Sequence, residues 1–171
     1  MQNEYRQAIE QYRQKVVTLA RYSLRSAADA EDIAQEVFVK LWHHWPSVDA
    51  DRRLAWLMRV THNAVIDFTR RRKTKLGVFD EAAEVEEQAG DDDQHGAAET
   101  AAIRGDIAAA IRELGDPFRS ILVMRDVQGL AYADIEVSLE MNASQVKVYL
   151  HRARRKLRQN AQLRQRFDDL D

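Results

Sequence analysis

Between Asp80 and Glu99 the chain carries nine acidic residues and no lysine or arginine. A segment so charged, containing Ala and Gly but no repeating apolar position, cannot bury enough surface to offset the entropy of ordering it. It therefore splits the 171 residues into two pieces, each small enough to be built around one modest core. Charge is sorted in the same way: the formal net charge is −2, yet without those nine acids it would be +7. The sequence thus predicts two basic bodies, residues 1–74 and 102–171, joined by a flexible acidic linker over 75–101. Phosphate binding follows such local charge rather than the average.

Both bodies are expected to be all-α. Only six Gly and two Pro interrupt the chain, and apolar residues recur every three or four positions. Tyr5, Ile9, Tyr12, Val16, Leu19 and Ala20 mark one helix face. Asp29, Glu31 and Asp32 suit the first turn of a second helix, whose Ile33, Val37, Phe38 and Leu41 face inward and which ends before Pro46. A polar loop leads to a third helix starting near Arg53, with Leu54, Leu57, Val60, Ala64, Val65 and Phe68 inward, ending in the basic cluster Arg70 to Lys73. Past the linker the period returns at Ile103, Ile107, Ile111 and Leu114. Asp116 and Pro117 then read as an N-cap and first-turn proline opening a helix that stops near Gly129. A short helix over Tyr132 to Glu140, a turn at Met141 to Ser144 and a long last helix with Val146, Leu150, Ala153 and Leu157 on its buried side complete the pattern.

Several chemistries are excluded or disfavoured. The absence of cysteine removes disulfides, thiolate metal sites and cysteine nucleophiles. No apolar run approaches the roughly 20 residues needed to cross a bilayer, and the first residues lack a signal-peptide core, so a cytoplasmic protein without membrane insertion is expected. His43, His44 and His62 form no Glu-x-x-His or His-x-x-x-His pair, so neither a metal nor another cofactor is expected. No nucleophile elbow or phosphate loop points to an enzyme.

The residues that remain suit nucleic acid. The string YADIEVSLEMNASQVKVYLHRARRKL has the spacing of a helix-turn-helix with a basic second helix, the element that enters a major groove. Gln145, Lys147, Tyr149, His151 and Arg152 are positioned for base edges, and Arg155 and Lys156 for phosphates. The alternative is a solvated basic helix, against which the preceding short helix and turn argue. In the first body, Asp32, Gln35 and Glu36 offer an outward face for a basic partner, while Arg59, Asn63 and Arg70 to Arg72 suit nucleic acid. The plainer alternative is the solvated side of a bundle. Trp42, Trp45 and Trp56 are read as core rather than base-stacking residues.

Together, in this order and around an acidic linker, these segments resemble the extracytoplasmic-function sigma factors of the sigma-70 family. AEDIAQEVFVKLW is similar to the segment by which such factors grip core RNA polymerase. WLMRVTHNAVIDFTRRRK is similar to the helix that recognises and melts the −10 promoter element, and the C-terminal string to the domain that reads the −35 element. The resemblance implies core polymerase binding by Asp32, Gln35 and Glu36. It implies −10 DNA contacts by Ser47, Asp49, Arg52 and Arg53 of the loop with Arg59, Asn63, Arg70 and Arg71, and −35 contacts by Gln145, Lys147, Tyr149, His151, Arg152 and Arg155. It further implies capture of a flipped base of the non-template strand near that loop, and a linker that either mimics RNA in polymerase channels or is a plain tether. An anti-sigma factor is a common partner in the family, and no segment identifies one here. Departures from the family pattern are Ser144 and Gln145 for Gly and Thr, Val148 and Tyr149 for Ser and Arg, and Glu140 for a turn Gly, which predicts different dihedrals there. Two rivals remain from residues alone: a stand-alone DNA-binding regulator using the same helix-turn-helix, and a module whose basic faces dock acidic proteins.

Overall fold

The computed structural model describes residues 1–76 and 96–168; the acidic segment with Phe79, and the last three residues, lie outside the described residues. Among those described, all regular structure is helical.

Three helices build the N-terminal body: α1 (Gln2–Ser23), α2 (Ala27–His44) and α3 (Arg53–Lys75), each packed on the other two. The α2 start is set by Ser26, whose hydroxyl accepts from Asp29 N at 3.1 Å, with Asp29 itself facing the positive helix end. Its end coincides with Trp45-Pro46-Ser47, a single 3₁₀ turn where the proline at the following position prevents α-helical continuation. The expected loop before α3 is therefore more structured than predicted: a second 3₁₀ turn, Ala50–Arg52, follows it, and Val48 between them is buried. Basic residues Arg72, Lys73 and Lys75 occupy the last turn of α3, where the helix dipole favours cations. Leu19, Leu41, Leu57 and Met58 fill the centre with no exposed surface, and Tyr5 stands edge-on to Trp42 and Trp45 at 4.9 and 5.5 Å.

The C-terminal body holds α4 (Gly96–Glu113), α5 (Phe118–Leu122), α6 (Tyr132–Leu139), α7 (Ala143–Arg158) and α8 (Ala161–Asp168). Helix α4 begins inside the stretch read as linker, and α8, which packs on α4, has no counterpart in the sequence reading. Pro117 sits at the N-cap of α5 rather than in its first turn, while Asp116 caps with its side chain, accepting from Ser120 N at 3.2 Å. The segment leading to Gly129 is not one plain helix, because Val123–Val127 widens into a π-helical turn. Glu140 closes the α6–α7 turn with φ 54° and ψ 43°, the left-handed conformation that a glycine would take, and not with the altered dihedrals expected from its side chain.

The two bodies share one continuous apolar cluster. Helix α6 lies along α3, and α1 packs against α4 and α5. Small residues let the backbones approach: Ser138 Oγ lies 3.1 Å from the Ala55 carbonyl across the interface and 2.6 Å from Asp134 O in its own helix. At the other end, Gln128 Nε2 donates to Lys15 O at 2.9 Å and Lys15 Nζ to Gln128 O at 3.4 Å.

Candidate nucleic-acid interface

Helices α6 and α7 form the helix-turn-helix, and local chemistry fixes their start and register. Asn142 Oδ1 accepts from Gln145 N while Gln145 Oε1 accepts from Asn142 N, both at 2.9 Å, a reciprocal cap that holds the first turn of α7. Val146, Leu150 and Ala153 are buried, which directs Ser144, Lys147, Val148, His151, Arg152 and Arg155 to solvent. Arg154 closes a two-pronged bond on Asp126 of the π-helical turn at 2.8 and 2.6 Å, locking α7 to the element before it. Those hydrogen bonds push the Arg154 pKa up, so its charge is permanent.

The residues expected at the −35 element divide into two groups. Lys147, His151, Arg152 and Arg155 are exposed on α7. Gln145 is engaged in the cap, and Tyr149 is half-buried against Phe118 with ring centroids 5.3 Å apart. Arg152 and Lys156 stand over the Tyr149 and Phe118 rings at 6.0 and 4.9 Å, so this aromatic pair supports the cations beside it. The Asn142-to-Gln145 spacing was the signal that could have identified Gln145 as a cap.

On the first body, Asp32, Gln35 and Glu36 all point outward from α2, and Glu36 pairs with Lys40 at 2.7 Å. Asp32 and Gln35 border a groove between α1 and α2 lined also by Tyr5, Ile9 and Val39, while Glu36 borders one between α2 and α3. Of the expected −10 residues, Asn63, Arg70 and Arg71 are exposed on α3, as are Ser47, Asp49 and Arg52 on the turns before it. Arg53 stands over the Trp45 ring, its Cζ 3.9 Å from the centroid. Arg59 pairs with Glu140 of the C-terminal body at 2.5 Å.

His62, dismissed as a metal ligand, bridges the bodies. Ser120 Oγ donates to Asp116 Oδ1 at 2.6 Å and so accepts from His62 Nδ1 at 2.8 Å, which assigns the imidazole proton to Nδ1. Burial pulls the His62 pKa below its ordinary value; Asp116 opposes this and Arg119 reinforces it. No sequence period marks this contact, because it depends on how the two bodies dock.

Comparison with known proteins bears on this arrangement. Residues 8–75 match the family described as Sigma-70 region 2, and residues 104–157 that described as Sigma-70, region 4. The chain is 32% identical over 155 residues to the ECF RNA polymerase sigma factor SigL of Mycobacterium tuberculosis, covering 86% of this chain and 84% of that protein. It is 28% identical over 151 residues to the ECF RNA polymerase sigma factor SigE of Mycolicibacterium smegmatis, covering 88% of this chain and 58% of that protein. The sigma factor RpoE of Bartonella quintana, solved in complex with the anti-sigma factor NepR, has the same fold, with a TM-score of 0.72, 21% identity, and coverage of 91% of this chain and 95% of that one. With an exposed basic helix-turn-helix behind an acidic α2 and a basic α3, and with these relatives, the chain belongs to the extracytoplasmic-function RNA polymerase sigma factors of the sigma-70 family, which direct promoter-specific transcription initiation.

Proposed function

We propose that the chain docks on core RNA polymerase through Asp32, Gln35 and Glu36 of α2, reads the −35 element with α7, and reads and opens the −10 element with α3 and the turns before it. The observation that carries this reading is the pair of unlike exposed faces on one chain: an acidic α2 bordering an apolar groove, and the Lys147, His151, Arg152 and Arg155 face of α7. Acidic side chains suit a basic protein surface, and the α7 cations suit guanine acceptors and phosphates. Strand opening would follow from capture of an unstacked base near Ser47 to Arg52, which offsets an unstacking cost on the order of a few kcal/mol. Arg59 and His62 are engaged by the C-terminal body, so the two bodies must part before DNA reaches that stretch of α3.

The test is reconstitution. Purified chain, bacterial core polymerase and a promoter library should together give transcripts from defined start sites, and neither protein should do so alone. Asp32→Lys with Glu36→Lys should abolish polymerase binding while sequence-selective DNA contacts by α7 persist. Defined starts without the chain, or equal loss of both activities in the variant, would reject the assignment.

A further inference from the structure

We infer that Val148 is a specificity-determining residue that selects a thymine in the −35 element by contact with its C5 methyl group; this rests on the reading of α7 as the −35 helix. The helical repeat places the side chain. Val146, Leu150 and Ala153 define the buried stripe of α7, and Val148 lies half a turn round from it. Ser144 precedes it by four positions, and His151 and Arg155 follow it by three and seven, all exposed on the same side. Val148 therefore occupies the middle of the outward face. It is 46% exposed and is the one large apolar side chain exposed on α7.

The chemistry at that point is restrictive. A valine offers no donor and no acceptor, and its branched Cβ holds two methyl groups in a nearly fixed position. Adenine, guanine and cytosine all present polar atoms to the major groove, and any of these beneath the valine would lose water without gaining a partner. Thymine alone adds an apolar group there, its C5 methyl. Lys147, His151 and Arg152 around the valine supply the donors that neighbouring bases need, so the one position that cannot hydrogen-bond becomes selective by exclusion.

The full chain on bacterial core polymerase provides the test. A randomised −35 library is selected first; the winning duplex is then remade with each −35 thymine, on either strand, replaced singly by deoxyuridine, which lacks the methyl group. One replacement should weaken wild-type binding by about 3- to 5-fold, the worth of burying a single methyl group. Val148→Ser should erase that penalty at that position and nowhere else, and Val148→Ala, a better helix former, should reduce it. Tolerance of deoxyuridine at every position, or a penalty unchanged in Val148→Ser, would overturn the inference while leaving the −35 reading of α7 standing. If selection yields no −35 preference at all, both fall together.

Discussion

Helices α3 and α7 are both long, both basic and both implied by sequence to meet promoter DNA, yet they are presented differently. The outward face of α7 is free along its length, braced from behind by Arg154 on Asp126 and by the α5 contact. In α3 the end around Arg70 and Arg71 is open and Asn63 is exposed, but one side of the helix lies along α6, with Ala55, Arg59 and His62 each bonded to the C-terminal body. One helix is open along its face and the other is partly covered by the first one's supporting helix. On the proposed reading the arrangement implies an order, with α7 available first and the stretch of α3 holding Arg59 and His62 only after the bodies separate.

The largest blow to this contrast should come from α6, which supports both readers. Ile135 is fully buried, and Ile135→Ala should cost about 2 to 5 kcal/mol, measured by urea unfolding. A loss well below that range would mean that α6 is not the common support. Next, Arg152→Ala should weaken −35 binding by about 1 to 3 kcal/mol if the guanidinium makes a bidentate base contact, without affecting −10 binding. Footprinting that shows both elements weakened alike would break the division of labour.

Acid should act on α3 through His62. Closure lowers the His62 pKa, so neutral imidazole belongs to the closed form, and the freed side chain returns to about 6.5. Closure is therefore fully supported above that value and loses support as pH falls below it. The groups facing His62 are Ser120, Asp116 and Arg119. Because the chain has no cysteine, dyes on Gln7→Cys and Gln162→Cys can report separation directly. The distance between them should grow on acidification, and His62→Gln should flatten the response.

The smallest effect is also the most discriminating. Glu140→Gly relieves a left-handed backbone strain of about 1 kcal/mol but removes an exposed ion pair worth about 0 to 1 kcal/mol. Resistance to urea should hold or rise slightly while the dyes move apart. Loss of both would place the stabilising role of Glu140 within the turn itself rather than across the interface.

How much of this was legible in the sequence depends on how local each feature is. The helices α1, α2, α3, α6 and α7 leave a period that needs nothing beyond their own residues, and the exposed cations of α7 follow from it. The cap made by Gln145 and the ring contact of Tyr149 are less legible, because the pattern marks both as outward or family-matched and does not show the Phe118 ring. The α6–α3 contact was not legible. It joins residues such as Ala55 and Ser138, whose smallness reads as nothing in particular until two helices are brought together across the acidic segment. Helix α8 escaped for a related reason: Asn160 opens it by accepting from Leu163 N at 3.1 Å, but Leu163 is its lone buried apolar anchor among described side chains.

The cap between Asn142 and Gln145 bears finally on ionic strength. It satisfies Gln145 N, a donor of the first turn of α7, from within the chain, so fewer N–H groups of that turn are left for a phosphate. Attraction to a duplex then rests largely on side-chain cations, each displacing condensed counterions, and should decline steeply with added KCl. Val148 displaces none. Preference for its base should thus persist in salt that removes most of the affinity.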